Sequence, residues 1–275
     1  MGADMIRKLD RDALRAQFRA AQPFPFMAIE NFLVPGAAEE AARAYPTFEE
    51  AQKLGFKFNF VNEQKKVQVC DQEKFPAPVR RLGDAILSPE FMADLEYITG
   101  IPRLVADRQF EGGGMHLTGP GGRLDVHVDF NLLEARKLYR RLNILIYLNP
   151  VWKEEWGGQI ELWDKNVQTC HYRSVPSLNR CLIFETSDIS YHGVAPIAQA
   201  AEFSRQSFAA YYYTEEPPPH WKASHSTIFR ARPDEKMREL IYMPLEKLWR
   251  GSPLEKVWRR VSGKVDQVKS WIRPG

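Results

Sequence analysis

Cysteine is scarce: the 275 residues carry only Cys70, Cys170 and Cys181. That odd, sparse set excludes a disulfide scaffold and makes a reducing, cytoplasmic setting the expectation. Also missing is any run of about 18 uninterrupted apolar residues, the minimum for a membrane-spanning helix. The first twenty residues are charged and have no apolar centre, so they do not read as a secretory signal. Neither charge sign dominates. The 38 Lys and Arg against 35 Asp and Glu leave a formal +3, too balanced for a dedicated nucleic-acid binder. Gly112-Gly113-Gly114 lacks the Lys-Ser/Thr and the following helix pattern of a phosphate-binding loop. Internal repeats and low-complexity segments are absent as well.

The near-neutral total hides an asymmetry. Residues 221–275 hold 13 Lys/Arg and 6 Asp/Glu, a formal +7, whereas the other 220 residues hold 25 and 29, a formal −4. Leu254, Val257, Trp258, Val261, Val265, Val268 and Ile272 fall almost wholly at helical steps, giving this basic tail one apolar stripe. The stripe is expected to pack on the body or on a second subunit in a homodimer. Contact of residues 254–275 with an acidic partner or membrane surface is the other reading.

Hydrophobic residues make up 44% of the chain and aromatic ones 12%, ample for a core. The pattern predicts helices over 10–21, 37–44, 78–86 and 88–98, a strand over 26–29, and one or two strands within 56–70. From 104 to 214 the texture changes to short β-branched and aromatic runs separated by Gly, Pro and Asn. Strands are expected over 104–110, 115–117, 124–128, 142–148, 159–163, 169–174, 180–185, 191–196 and 205–213. Strands at this spacing with no helices between them argue for a mainly β core, a sandwich or barrel of antiparallel sheets. After Pro217-Pro218-Pro219 the helical pattern returns from Thr227. The expected organisation is a helical and strand flank over 1–99, a β core over 100–219 and a basic amphipathic helical tail over 220–275.

His127-Val128-Asp129 is the first chemical signal. On a strand, residues two apart share a face, so an imidazole and a carboxylate converge. His192 follows inside an apolar strand-like run, and Arg205 and Ser207 share a face of a later strand. Two histidines and one carboxylate are the facial set that holds non-haem Fe(II) with open positions. An arginine across the barrel can pair with a carboxylate in a geometry that lysine cannot match. His116 and His171 read as pocket-lining and sheet residues, and His220 and His225 as solvated. Trp152, Trp156 and Trp163 read as core and rim packing, and Cys170 and Cys181 as buried thiols.

The order His-x-Asp, distal His, Arg-x-Ser resembles the Fe(II)/2-oxoglutarate-dependent dioxygenases, and most closely the stand-alone bacterial members of their prolyl 4-hydroxylase-like branch. The resemblance runs over about residues 100–215. It is carried by Gly112-Gly113-Gly114-Met115-His116-Leu117, Gly121-Gly122-Arg123-Leu124, His127-Val128-Asp129-Phe130-Asn131 and Arg140-Arg141-Leu142-Asn143. Further on come Tyr147-Leu148-Asn149, Gly157-Gly158-Gln159-Ile160-Glu161-Leu162-Trp163, Tyr191-His192-Gly193 and Arg205-Gln206-Ser207. It implies a double-stranded β-helix, or jelly roll, with flanking N- and C-terminal helices.

The resemblance also implies the site. His127, Asp129 and His192 become the iron ligands. Arg205 binds the distal carboxylate of 2-oxoglutarate, with Ser207 a second donor and Tyr147 a further hydroxyl. Some prolyl hydroxylases place another tyrosine ten residues before the first iron histidine. Here that position is Leu117, and Asn143 is the candidate to take over part of cosubstrate binding. The implied activity consumes O2 and 2-oxoglutarate, releases succinate and CO2, and hydroxylates an unactivated C–H bond. The carboxylate of Asp129 favours hydroxylation over halogenation. The substrate is a small molecule or an amino-acid side chain, with peptidyl prolyl hydroxylation as the alternative. Arg136, Lys137, Arg140 and Arg141 raise an acidic substrate group as one reading, a solvated loop being the preferred one. A reading of another class is a non-catalytic jelly-roll binding or interaction protein with a basic tail; the intact ligand set argues against it.

Overall fold

Local chemistry sets the N-terminal elements of the computed structural model, which describes residues 5–219 and 221–244. Asp10 caps α1 (Arg11–Ala20) by accepting from the Ala13 amide. β1 (Phe26–Ile29) and α2 (Ala37–Ala44) lie where the apolar pattern puts them. Thr47 and Glu50 cap α3 (Phe48–Leu54) reciprocally. Periodicity alone misses that helix, although its Thr-x-x-Glu signature stands in the sequence. The stretch 56–70 is a hairpin of β2 (Phe56–Phe58) and β3 (Glu63–Val69). Then come α4 (Ala77–Ile86) and α5 (Pro89–Thr99), the latter capped by Ser88.

The β core follows as β4 (Val105–Ala106), β5 (Gly114–Val128), β6 (Leu132–Leu133), β7 (Leu138–Tyr147), β8 (Ile160–Trp163) and β9 (Cys170–Ser174). It continues with β10 (Cys181–Glu185), β11 (His192–Val194), β12 (Arg205–Thr214) and β13 (Ile228–Arg230). The expected strand over 104–110 shrinks to two residues because the Asp107 carboxylate accepts from the Gln109 and Glu111 amides and turns the chain. The two strands expected over 115–117 and 124–128 are one. Gly119-Pro120-Gly121-Gly122, which reads as a turn, is instead a bend within β5.

That bend builds the jelly roll. The first half of β5 pairs with β12 and β3, inside the order β1-β10-β7-β12-β5; the second half pairs with β11 and β13, inside β5-β11-β8-β9. Every ladder between the described strands is antiparallel. One strand therefore belongs to both sheets and curls them into a barrel. The outer face of the larger sheet, with Leu117, Leu142, Ile144, Ile146, Ile183 and Phe208, packs against the helices. Its inner face presents Phe26, Leu182, Phe184 and Tyr147 to Ile160 and Leu162 of the smaller sheet. Cys181 is buried in the outer layer, Cys70 and Cys170 are half-buried, and all three thiols are free. Trp152 and Trp156 pack edge to face on the rim, whereas Trp163 joins Val126 and Val128 on the outside of the smaller sheet.

The C-terminal region departs from expectation. Instead of a helix from Thr227, Ile228-Phe229-Arg230 adds to the open side of β5, where its β-branched and aromatic residues find a ladder partner. The compact unit that contains the barrel runs to Arg232 and a second unit begins at Pro233. Within the second unit the described residues form one π-helical turn, Arg238–Tyr242. The amphipathic stripe over 254–272 lies outside the described residues. No helix among the described residues is long and apolar enough to cross a membrane.

Phe75, Phe110 and Phe208 meet edge to face, with centroids 5.3–5.6 Å apart, where the helical layer closes on the sheet. Phe208 is wholly buried, so Phe208→Ala is expected to cost about 3–5 kcal/mol in urea unfolding. Phe56→Ala, at a residue 72% exposed, should change stability by no more than about 0.5 kcal/mol. Equal effects would contradict this packing.

Candidate metal centre

His127 and Asp129 close the second half of β5, and His192 opens β11 directly opposite His127 in the ladder. The two rings lie 4.3 Å apart, with the Phe184 ring 4.7 Å from His192. Each imidazole has one nitrogen committed. Nδ1 of His127 donates to the Asp125 carbonyl at 2.9 Å, and Nδ1 of His192 donates to the Ser190 carbonyl at 2.9 Å. Because a carbonyl only accepts, both rings are fixed in the tautomer whose Nε2 carries a free lone pair. Those atoms stand 3.5 Å from Oδ1 and 3.4 Å from Oδ2 of Asp129. One ligand atom from each residue lies within 4.8 Å of the other two.

The carboxylate is held as firmly. Asn143 Nδ2 donates to Asp129 Oδ2 at 2.8 Å, Arg140 Nη2 lies 3.1 Å from the same oxygen, and Arg140 Nε donates to Asn143 Oδ1 at 2.9 Å. The Arg140 guanidinium itself lies 3.5 Å from the Tyr211 ring centroid and 4.7 Å from that of Phe130. Burial opposes ionisation of Asp129, but the charge of the Arg140 guanidinium works against it, and the carboxyl lies well below its usual range. Burial, then the neighbouring His127, pushes His192 down to about 4. Two neutral imidazoles and an ionised carboxylate thus aim acceptors at one point. Without a cation such a set is repulsive; with a divalent metal it is a ligand sphere.

A second polar centre lies along the barrel on β12 and β7. Arg205 is 4% exposed. Its Nε donates to the Gly158 carbonyl at 2.9 Å and its Nη1 to Ser207 Oγ at 3.2 Å. Gly158 has φ +70, and a Cβ there would sit 2.9 Å from Trp152, so a bare backbone is needed for that approach. The Tyr147 ring lies 5.0 Å from the guanidinium. Arg205 Nη2 and the Tyr147 hydroxyl are both buried without a hydrogen-bond partner. Burial lifts Tyr147 to about 12, against the pull of Arg205, so its hydroxyl keeps its proton. A buried cation and a neutral O–H donor, each with an unused donor, fit a carboxylate-bearing cosubstrate.

The structure therefore gathers His127, Asp129, His192 and Asn143 at one end and Arg205, Ser207 and Tyr147 at the other. Asn143 spends its side chain on Asp129 and Arg140. Leu117 faces the helices, and its neighbours His116 and Thr118 share the face of Ser207 and Arg205. His116 Nε2 donates to the Gly112 carbonyl at 3.1 Å. Sequence reasoning misses Tyr45, whose hydroxyl donates to the Ser207 carbonyl at 2.7 Å, and the role of Arg140, legible only as a residue three before Asn143. His225, read as solvated, pairs with Asp188 at 3.1 Å. Of the cations after the motif, Arg136 binds Asp107, Arg140 binds Asp129 and Arg141 lies 3.7 Å from Glu185, whereas Lys137 is exposed on the turn before β7.

Residues 113–213 match the family model described as the 2OG-Fe(II) oxygenase superfamily. The chain is 29% identical over 107 residues to the prolyl 3-hydroxylase OGFOD1 of Mus musculus, taking in 33% of this chain and 19% of that protein. It spans about a fifth of the length of that curated relative. Among solved structures, a prolyl hydroxylase from Trichoplax adhaerens, in complex with a hypoxia inducible factor peptide fragment, superposes with a TM-score of 0.53 at 18% identity. That superposition covers 74% of this chain and 89% of the other. A prolyl-4-hydroxylase from Pseudomonas putida gives a TM-score of 0.49 at 13% identity, over 73% and 98%. The first of these superpositions shows the jelly-roll fold.

The buried rings give a pH test on metal-free protein. Burial, Lys66 and Arg205 push His116 down to about 3, and His192 stands at about 4. An unfolded chain protonates both near pH 6.5, so below about 6.5 it binds protons that the folded chain does not. Their contribution is fully present above about pH 6.5 and is lost as pH falls towards 4. The urea midpoint should drop between about pH 7 and about pH 5, and His116→Gln should remove part of the drop. A midpoint unaffected by pH would contradict neutral, buried rings.

Proposed function

We propose that the protein is a prolyl 4-hydroxylase-like, Fe(II)- and 2-oxoglutarate-dependent hydroxylase whose core is residues 113–213, the stretch that matches the 2OG-Fe(II) oxygenase superfamily model. The observation that carries this reading is the pairing of two sites in one barrel. One is a triad of convergent acceptors, and the other is a buried arginine whose free Nη2 lies beside an unpartnered tyrosine hydroxyl. His127, Asp129 and His192 hold the iron, and Arg205 with Tyr147 receives the distal carboxylate of 2-oxoglutarate. When bound, iron and 2-oxoglutarate supply the oxidation, in which O2 is consumed, 2-oxoglutarate leaves as succinate and CO2, and a substrate C–H becomes C–OH.

The chain's own groups orient and insulate. The Asp125 and Ser190 carbonyls keep Nε2 of each histidine unprotonated. Asn143 and Arg140 fix the plane of the Asp129 carboxylate. Ser207 and the Gly158 carbonyl aim the Arg205 guanidinium. Phe184, Leu182 and Tyr147 keep the interior dry. For the substrate, the local likeness to a prolyl 3-hydroxylase favours a prolyl residue in a peptide; a free small molecule is the alternative.

Anaerobic addition of Fe(II) and 2-oxoglutarate should produce the weak visible charge-transfer band of the chelate, and His127→Ala and Asp129→Ala should abolish it. No band in the wild type sinks the proposal and favours a non-catalytic binding protein. Arg205→Ala should weaken 2-oxoglutarate on the order of 10- to 100-fold, the worth of a charged hydrogen bond, while sparing iron. An unchanged 2-oxoglutarate affinity would remove Arg205 from the site. Succinate release measured over prolyl peptides and free metabolites should rise with the peptides; a response confined to small molecules would overturn the peptidyl reading.

A further inference from the structure

Behind the triad lies a buried ionic cluster that the proposed chemistry does not use. Glu161 points to the opposite side of β8 from Leu162, the ladder neighbour of His192. It is 1% exposed, and Asp125 is wholly buried. Arg232, itself 6% exposed, reaches in from the segment after β12. Its Nε donates to Glu161 Oε2 at 2.8 Å, its Nη2 to the carbonyls of Val194 at 3.0 Å and Leu124 at 3.3 Å, and its Nη1 lies 3.6 Å from Asp125 Oδ1. Arg173 and Arg123 complete the cluster at 2.7 Å from Glu161 and Asp125.

The two carbonyls mark a fault in the sheet. His192 pairs with His127 but Val194 pairs with Leu124, so Asp125 and Val126 together oppose the single residue Gly193. Such a bulge leaves backbone acceptors outside the ladder. It is also tight: a Cβ at Gly193 would lie 3.1 Å from the Leu124 carbonyl oxygen and from the Val126 backbone. The register slip is what sets His127 and His192 face to face, and Arg232 bridges the carbonyls at its far end. The bulged residue Asp125 is also the one whose carbonyl holds Nδ1 of His127. Three residues before Arg232 on the same segment, β13 lays Phe229 against the His127 ring, 5.3 Å away, on the side of β5 opposite β11.

We propose that Arg232 is a positioning residue for the metal site, locking the β5–β11 bulge and thereby the mutual placement of His127 Nε2 and His192 Nε2. The proposal deepens the hydroxylase reading and rests on it for the metal, but its test has a metal-free arm. Full-length wild type, Arg232→Met, Arg232→Lys, His127→Ala and the surface control Arg103→Met are titrated anaerobically with Co(II), and their folds are compared by near-UV circular dichroism. Arg232→Met should bind Co(II) about 10-fold or more weakly with an altered ligand-field spectrum, the scale of effect expected for an outer partner of a ligand. Arg103→Met should match the wild type.

Arg232→Lys keeps a cation between Glu161 and Asp125 but cannot reach both carbonyls, so it should lose less. If Arg232→Met does not fold, Arg232→Lys decides. Folded protein of either variant binding Co(II) with wild-type affinity and spectrum overturns the proposal. In the metal-free arm, the hydrogen-bonded Nδ1–H resonances of His127 and His192 should shift or exchange faster in Arg232→Met, and unmoved resonances overturn it equally. Wild type that binds no Co(II), or His127→Ala that binds as well as wild type, refutes the metal reading, and the metal-free resonances still decide on Arg232.

Discussion

Three acceptors with no donor between them are an unfavourable thing to bury, and much of this barrel is arranged around that constraint. The Nε2 lone pairs of His127 and His192 and the carboxylate of Asp129 face one another at 3.4–3.5 Å. Left alone, the set would protonate or spread apart. It does neither because each member is held from behind. Backbone carbonyls take the Nδ1 protons, Asn143 and Arg140 take one carboxylate oxygen, and Tyr211 and Phe130 take the guanidinium. The strain of convergence is thereby stored in a rigid scaffold ready for a divalent cation.

The opposite polarity governs the second polar centre of the barrel. Arg205 is a buried cation whose hydrogen-bond partners, the Gly158 carbonyl and Ser207, are neutral and orient it, with one nitrogen left over near Tyr147. A cluster of acceptors and a cluster of donors, set in one antiparallel barrel, can hold a ligand that is anionic at one end and chelating at the other. That complementarity is the physical content of the hydroxylase proposal. It does not by itself select a substrate.

Legibility differed by element for identifiable reasons. Asp10, Ser88 and the apolar spacing made α1, α2, α4 and α5 readable, since these depend on residues three and four apart. α3 was readable from Thr47 and Glu50 but not from periodicity. The bend at Gly119-Pro120-Gly121-Gly122 looks like any turn in sequence; only the partners on both sides, β12 and β11, reveal that one strand crosses between sheets. β13 was mistaken for helix because three residues carry no period. At the site, the His-x-Asp spacing and the later Arg-x-Ser were visible, whereas Tyr45, Arg140, Phe229 and Arg232 were not. Their partners lie across ladders or far along the chain, beyond the reach of any local pattern.

The sequence alone determined the balance of charge, the free thiols, most helix starts and the identity of the residues that converge, because those properties belong to single residues or to neighbours within a few positions. Tertiary structure decided the rest. It decided that Leu117 faces the helices, that Arg136, Arg140 and Arg141 meet carboxylates of the chain itself, and that the segment reaching Arg232 closes the metal-bearing sheet. The physical reason is common to all three. Which way a strand residue points, and which charge it meets, is fixed by ladder register, and register here is set by a bend and a bulge that couple residues tens of positions apart.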